Sequence, residues 1–453
     1  MNPTHAARSA RAASAVVLSA LVMSSCGGSD SDPTVTSYWD NITPAPVQQV
    51  CSIPRVTDFR VATENGEPIT DKNRYRNASL EFSGSESAAD NLTTDGRIRG
   101  RGNTTWFLMP KKPYKVKLDQ KMSLFGFPEG KEYAVLANYA DKSMLRTELA
   151  YCLASVLRMP YTPHSHFVEL TLNGSYDGLY QYTNKVYEVT DHIEAQFKDG
   201  KQEPAGNSSF DDVFLLEIDA RSQDPSMDPD QWFPSKSGIP YKFRSDTNAE
   251  HRARVKEWID GLESIIGNNK DPDRLAKLRS MIDLGTLIDY YLLSELTGNP
   301  DTFYSSTYVY RMRDGLLTYG PVWDFDTSAG NAESEAAEPR RWHVLEAEWN
   351  WYFRALLDEP EFRDMVLQRW SELYSQVPDL LDFVRASSTA LDAAQTRNFE
   401  RWPILNEKVP FSSLVLGSYE AEVQFLLDWL AVRADWMNEN IDDLAPKGIA
   451  HEQ

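Results

Sequence analysis

Cysteine and histidine are scarce in this chain. Its 453 residues include three cysteines and seven histidines. Three cysteines are too few for a structural zinc site built from thiolates, which uses four ligands at close spacing. The histidines show no H-E-x-x-H arrangement, and the chain has no G-x-S-x-G nucleophile elbow. The sequence therefore excludes a cysteine-based zinc centre and gives no support to the enzyme classes that those two motifs mark.

Positive charge and long apolar runs are also in short supply. The chain has 46 Lys and Arg against 67 Asp and Glu, a net charge of −21. That balance argues against a sequence-independent nucleic-acid binder, which needs a basic surface. The apolar run at residues 12–23 is too short for a stable membrane span. Aromatic side chains, in contrast, are abundant. The chain has 12 Trp, 21 Tyr and 19 Phe, which indicate a folded protein with a substantial core.

The first 25 residues have the pattern of an export signal, with Arg8 and Arg11 ahead of the apolar run. The tetrapeptide at residues 24–27, Ser-Ser-Cys-Gly, resembles a bacterial lipobox and predicts that Cys26 is lipidated. Met23 stands where Leu is usual, so cleavage by the general signal peptidase remains the alternative. We expect an exported lipoprotein of the bacterial cell envelope, in the periplasm or on the outer surface, that contacts the membrane only through its lipid.

Three further segments follow the signal. Residues 26–50 are polar and rich in proline, which predicts a flexible tether; residues 51–445 are expected to fold, and residues 446–453 to form a tail. Cys51 and Cys152 would lie in an oxidising compartment, where a disulfide is possible. Nothing in the sequence shows that the two can meet, so the preferred interpretation is two unpaired thiols, with Cys152 in the core of a helix.

The first half of the folded region, residues 51–188, has mainly the pattern of strands. A basic segment flanked by glycine, residues 97–103, closes one strand, and Lys115 and Lys117 lie on one face of the next. Glycine-rich backbone beside cations suits phosphate binding, although a solvated charged face is the simpler alternative. The other predicted elements are strands at 132–137, 167–172 and 178–185 and a helix at 144–157 capped by Asp141 or Ser143.

The second half, residues 189–445, is mainly helical in pattern. The expected elements are strands at 213–218 and 241–244 with a loop at 222–240 between them, and helices at 249–266, 284–296, 349–357, 360–377, 379–400 and 418–440. The fold class is therefore α+β, with a β-rich N-terminal half and a mainly helical C-terminal half.

The segment at residues 298–330 holds the strongest catalytic candidates. The helix ending at Gly298 is followed by Asp301, then by a predicted hairpin with strands at 306–312 and 316–319 and a turn at 313–315. Asp324 and Asp326 come next, two residues apart, so an extended backbone would point both carboxylates to one face. Turn chemistry explains each Asp alone. As a set, the order resembles the catalytic segment of protein kinases.

Several segments together resemble the CotH family, the atypical kinase-like proteins of the spore-coat-protein-H type. The segments that carry the resemblance are Arg97 to Trp106, Lys111 to Lys115, Leu136 to Arg146, Leu172 to Gly174, Gly178 to Tyr180, Asn299 to Asp301 and Trp323 to Asp326. They span about residues 53–331 in an order that matches the family. The resemblance implies a two-lobed kinase-like fold, with a nucleotide lobe at 51–188 and a helical lobe at 189–445.

The resemblance also implies roles for individual residues. Asp301 would be the catalytic Asp, and Asp324 the metal-binding one, with Asp326 as a second metal carboxylate. The expected nucleotide-binding residues are Arg99, Lys112, Lys115, Asp141, Arg146 and Glu148, and for Glu148 a favoured place at a helix start is the simpler explanation. An Asn is expected five residues after Asp301 as a second metal ligand, but Ser305 and Ser306 stand there. No Walker A motif and no protein-kinase Gly-rich signature is present.

The leading hypothesis is an ATP-dependent kinase, using Mg²⁺ or Mn²⁺, that phosphorylates Ser or Thr of cell-envelope or secreted proteins and binds no nucleic acid. One alternative is a kinase-like surface protein without activity, which serves adhesion or envelope assembly. Another is a carbohydrate-active hydrolase that uses Asp301 with Asp324 or Asp326 as acid and base. Magnesium-dependent nucleotide binding separates the first hypothesis from the second.

Overall fold

The computed structural model describes residues 43–184, 212–223, 228–245, 247–312, 315–333, 337–347 and 349–444. The export signal, Cys26, residues 313–314 of the predicted turn at 313–315, and the tail lie outside this part of the chain. No helix in the described ranges is long and apolar enough to cross a bilayer. The described chain is a mixed α+β structure, as predicted.

The N-terminal half contains a seven-stranded barrel. Its strands are β1 (Val56–Thr63), β2 (Arg76–Ser83), β3 (Leu92–Gly100), β4 (Tyr114–Met122), β5 (Gly130–Leu136), β6 (Ser165–Leu172) and β7 (Ser175–Asn184). They follow the order β1-β2-β3-β4-β5-β7-β6, and parallel pairing of β1 with β6 closes the ring. Side chains alternate between the two faces of each strand, and the inward ones include Phe59 stacked on Phe82 at 4.4 Å.

Two helices interrupt the barrel strands. Helix α2 (Thr104–Leu108) follows β3, and helix α3 (Arg146–Val156) lies between β5 and β6. Asp141 lies in the turn before α3, and its carboxylate accepts the backbone N–H of Arg146 at 2.9 Å and that of Ser143 at 3.1 Å. The predicted helix is confirmed, but the predicted cap is not, because the residue at the N-cap position is Leu145, which makes no capping hydrogen bond through its side chain.

The segment before the barrel packs against α3. Helix α1 (Val47–Val50) precedes a disulfide between Cys51 and Cys152, whose Cα atoms are 5.1 Å apart. The Ala45 N–H also donates to the Val156 carbonyl at 2.7 Å. The prediction of two unpaired thiols is therefore wrong, and residues 45–50 belong to the folded region rather than to the tether. The docking of α1 on α3, which brings the sulfurs together, has no signal in the sequence.

The C-terminal half combines helices with a second sheet. Its strands are β8 (Phe214–Ile218), β9 (Trp232–Pro234), β10 (Pro240–Phe243), β11 (Thr307–Arg311) and β12 (Thr318–Tyr319), in the order β12-β11-β8-β10-β9. Its helices are α4 (Ala249–Ile266), α5 (Arg274–Arg279), α6 (Leu284–Thr297), α7 (Trp351–Leu356), α8 (Pro360–Tyr374), α9 (Val377–Arg401) and α10 (Tyr419–Asn440). A loop was predicted where β9 lies, because three residues beside Pro and Asp give too little alternation for a strand. The β-rich first half and helical second half are confirmed.

Helix α6 positions the catalytic candidates. All its residues are buried, and it ends at Gly298, whose φ of 55° is left-handed. A Cβ at Gly298 would lie 2.8 Å from the ring of Trp429, so glycine suits both the backbone angle and the close packing. The chain leaves the helix here and enters the loop that carries Asp301.

Candidate active site

One cavity of about 690 Å³ collects most of the charged candidates. The barrel side contributes Lys72, Arg99, Arg101, Lys115 and Asn138; the second sheet and the loops around it contribute Glu217, Asp219, Arg221, Lys242, Arg244, Asp301, Ser305, Ser306, Asp324 and Asp326. The cavity is therefore lined by residues from both halves of the chain.

Asp301 lies in the turn directly after α6. The Asn299 side-chain oxygen accepts the Asp301 N–H at 3.2 Å, and the Asp301 carbonyl accepts the N–H groups of Tyr304 and Ser305 at 2.9 and 2.7 Å. Burial and, second, the charge of Asp324 raise the pKa of Asp301 to about 7, against an opposing effect of Arg221. A carboxyl group with that pKa can accept or release a proton near neutral pH.

Asp324 and Asp326 follow β12 and line the same cavity. The backbone of Asp324 has a φ of 68°, so it is left-handed and the predicted extended backbone is wrong, although both side chains reach the cavity. The Ser306 hydroxyl donates to Asp324 Oδ2 at 3.0 Å. Burial first, and then the charges of Asp324, Asp141 and Asp301, raise the pKa of Asp326 to about 8.

None of the carboxylates of Asp301, Asp324 and Asp326 forms an ion pair within 4 Å among the described residues, whereas Asp219 in the same cavity pairs with Arg221. Like charges without a direct cation partner are unfavourable, and a bound cation would relieve them. The described residues contain no group of three or more Asp, Glu, His or Cys arranged to hold a metal alone. Asp324 and Asp326 could therefore contribute to a cation site only if a bound ligand or water supplied the other oxygens.

Arg101 is the cation that faces the Asp pair. Its guanidinium lies 5.4 Å from the ring centre of Trp323, and its charge interacts with both Asp324 and Asp326. Burial lowers the pKa of Arg101, an effect that these carboxylates oppose. The residue lies within the basic segment predicted at 97–103, although no role was assigned to it there.

Arg99 and Lys115 also line the cavity. Arg99 donates to the carbonyls of Lys72 and Gly100, and its guanidinium lies 5.0 Å from the ring centre of Tyr75. Lys115 pairs with Glu132 at 2.5 Å, and Lys117 with the same carboxylate at 2.7 Å. The prediction that Lys115 and Lys117 share one face is confirmed.

Four other predicted nucleotide-binding residues do not lie on the cavity wall. The Lys112 ammonium donates to the Trp106 carbonyl at 2.6 Å. Asp141 pairs with Arg146 at 2.5 Å, and Arg146 also donates to the Ser328 carbonyl at 2.9 Å, just beyond Asp326.

Glu148 is the fourth of these residues. It is half-buried and accepts from the Ser165 hydroxyl and, at 2.9 Å, from the Gln181 amide. Burial raises the pKa of Glu148. These contacts tie the four side chains to structural partners, so their placement does not support direct contact with a nucleotide.

The structure adds cations that sequence reasoning did not select. Arg221 donates to the Ser305 hydroxyl at 2.7 Å and pairs with Asp219 at 2.9 Å, beside Asp301. Arg244 pairs with the buried Glu217. These residues are about 60 to 80 positions from Asp301 in the sequence, and only the pairing of β8 with β10 and β11 brings them close.

The chain matches a known protein family. The family model described as CotH kinase protein matches residues 98–437 of the 453. The chain belongs to the CotH kinase family. The match runs from the end of β3 into α10 and so includes Asp301, the Asp pair, Arg99, Arg101 and Lys115. No curated protein matches the chain.

Proposed function

We propose that this CotH-family chain is an ATP-dependent phosphotransferase that uses Mg²⁺ or Mn²⁺ and phosphorylates Ser or Thr hydroxyls of cell-envelope or secreted proteins. The observation that carries the proposal is that one cavity holds Asp301, Asp324 and Asp326 together with the cations Arg99, Arg101 and Lys115. Within the described part of the chain, none of these three carboxylates has an ion-pair partner within 4 Å. Carboxylates there suit a metal, and cations suit phosphates, so a metal-bound nucleotide complements both.

The proposed roles follow from position. Asp324 and Asp326 would hold the divalent cation, which when bound offsets negative charge on the phosphates. Asp301, with its pKa near 7, takes the proton of the acceptor hydroxyl. Arg99 and Lys115 orient the phosphates from the barrel side through charge-assisted hydrogen bonds. In this proposal the barrel half acts as a nucleotide lobe and the helical half as a catalytic lobe.

The proposed setting is the bacterial cell envelope. The export signal and the lipobox at Cys26 support a mature chain that is held at a membrane by its lipid. The disulfide between Cys51 and Cys152 supports an oxidising compartment. Substrates of the same compartment, with accessible Ser or Thr side chains, are the partners that this setting favours.

The test uses the purified mature protein with labelled ATP and Mg²⁺ or Mn²⁺, together with Asp324→Asn and Asp301→Asn. We expect wild type to show a metal-dependent thermal shift with ATP and phosphoryl transfer. Asp324→Asn should lose the shift, because a neutral amide is a poorer ligand for a hard cation. Asp301→Asn should keep the shift and lose most of the transfer.

Two results would contradict the proposal. Equal ATP-induced shifts in wild type and Asp324→Asn would remove the metal assignment. A wild-type protein with no magnesium-dependent affinity for ATP would indicate a kinase-like protein without activity.

A further inference from the structure

Ser306 lies next to Asp324, the proposed metal ligand, and contacts its carboxylate. It lies five residues after Asp301, the spacing at which protein kinases have the Asn that binds a second magnesium ion. Here the Ser306 hydroxyl donates to Asp324 Oδ2 at 3.0 Å. Asp324 Oδ1 accepts no hydrogen bond from a described side chain, so one oxygen is fixed and the other remains available.

The backbone on both sides of this hydrogen bond is unusual. Ser306 has a φ of 53° and Asp324 a φ of 68°, both in the left-handed region. Residues other than glycine adopt this region at an energetic cost, and such residues persist where the surrounding structure holds them in place. Ser306 is also buried, at 5% exposure. The hydrogen bond is therefore made by two residues whose orientation the fold constrains.

Arg101 adds a fixed positive charge to the same place. Its guanidinium interacts with both Asp324 and Asp326 from the barrel side. A serine oxygen is bonded directly to Cβ, so it reaches less far than the side-chain carbonyl of an Asn. A second divalent cation would thus lack the usual amide ligand and would meet the charge of Arg101.

We propose that Ser306 is a positioning residue that fixes Asp324 for metal binding, and that the centre takes one divalent cation rather than two. Arg101 supplies the remaining positive charge. This inference rests on the proposed function, since it concerns the cation that accompanies the nucleotide.

The test counts Mn²⁺ ions bound with a non-hydrolysable ATP analogue, by electron paramagnetic resonance and equilibrium dialysis. We expect one ion per wild-type chain and two per Ser306→Asn chain, because Asn tolerates left-handed φ and restores the carbonyl ligand. Two ions in wild type, or one in Ser306→Asn, would overturn the inference. A wild type that binds neither nucleotide nor Mn²⁺ would overturn the proposed function as well, so the two failures are distinguishable.

The matched pair of variants is Ser306→Ala and Ser305→Ala. The Ser305 hydroxyl accepts from Arg221 at 2.7 Å and does not contact Asp324. Loss of a group that orients a metal ligand lowers metal affinity by about 10-fold or more, so we expect that loss in Ser306→Ala and less than about 2-fold in Ser305→Ala. Equal affinities in the two variants would overturn the positioning role. Thermal unfolding without metal and nucleotide shows whether each variant is folded.

Discussion

Two groups of acidic residues in the C-terminal half differ in whether the fold supplies them with ion-pair partners. Asp289 and Glu295 on α6 are fully buried, and each is paired with an equally buried arginine, Arg369 or Arg433. Asp301, Asp324 and Asp326 lie in the cavity that begins where α6 ends, and none has an ion-pair partner within 4 Å among the described residues.

The difference separates acidic residues that stabilise the folded chain from acidic residues that are available to bind a ligand. A buried charge is strongly unfavourable unless it is paired and hydrogen-bonded. The fold supplies such partners for the two acids within α6, whereas it leaves the three cavity acids close together, with pKa values raised at Asp301 and Asp326. We infer that the cavity acids depend on a cation from outside the chain.

We expect the largest effect when an arginine that pairs with a buried acid of α6 is removed. Arg369→Ala leaves Asp289 buried without the two hydrogen bonds it accepts at 2.6 and 2.8 Å. We expect the free energy of unfolding to fall by about 3–5 kcal/mol, the usual result of breaking a buried pair from one side. Chemical denaturation with urea measures this change.

The matched control removes both charges. Arg369→Met combined with Asp289→Leu keeps apolar volume and leaves no unpaired buried charge, so it should lose much less stability than Arg369→Ala. Asp324→Asn, in contrast, should not destabilise the metal-free protein. If Asp324→Asn lost as much stability as Arg369→Ala, the contrast between scaffold and cavity acids would be wrong.

Two nearby lysines allow the same comparison for cations: Lys115 lies in β4, and Lys112 precedes that strand by two residues. Lys115 lines the cavity, whereas Lys112 donates to the Trp106 carbonyl away from it. We expect Lys115→Ala to weaken ATP binding by about 1.5–3 kcal/mol, the scale of a hydrogen bond to a charged group. For Lys112→Ala we expect a change below about 0.5 kcal/mol, typical of a side chain outside the site.

Calorimetric titration with ATP and Mg²⁺ measures both affinities. Lys117→Ala is a suitable control, because Lys117 shares Glu132 with Lys115 but does not line the cavity. Similar losses in all three variants would indicate a general effect of charge rather than contact at one position.

The sequence was sufficient for elements with strong local signals. The helix at 249–266 matches α4 from end to end, because its apolar spacing and the Asn248 cap are local. The end of α6 at Gly298 was equally clear, because left-handed backbone favours glycine. Asp301, Asp324 and Asp326 were predicted as site residues from their order along the chain; all three line one cavity, and their catalytic roles stay a prediction.

What could not be predicted depends on contacts between distant segments. The closing of the barrel by β1 and β6 joins residues more than 100 positions apart, and the disulfide needs α1 to dock on α3. Asp141 and Arg146 do not lie on the cavity wall, because they form an ion pair with each other, and no local pattern in the sequence signals that contact. Arg221 was missed because β8 reaches the site only through the second sheet.

The cavity acids also predict a dependence of stability on pH. Asp301 and Asp326 have pKa values raised to about 7 and about 8, against 3.8 without the protein environment. Between about pH 4 and pH 8 the folded chain therefore binds more protons than the unfolded chain, and stability falls as the pH rises. Each group contributes at most about 1.4 kcal/mol per pH unit.

Urea unfolding of the metal-free protein at several pH values between 5 and 8 measures the slope. Other buried acids, such as Glu217, also have raised pKa values, so the informative quantity is the difference between wild type and Asp326→Asn. That variant should lose part of the negative slope and be more stable than wild type at pH 8, since an amide carries no charge to bury. Asp358→Asn, at an exposed position, is the control and should keep the wild-type slope. A slope in Asp326→Asn equal to that of wild type would mean that Asp326 is already stabilised by a partner within the chain, and the contrast with the paired acids of α6 would then fail.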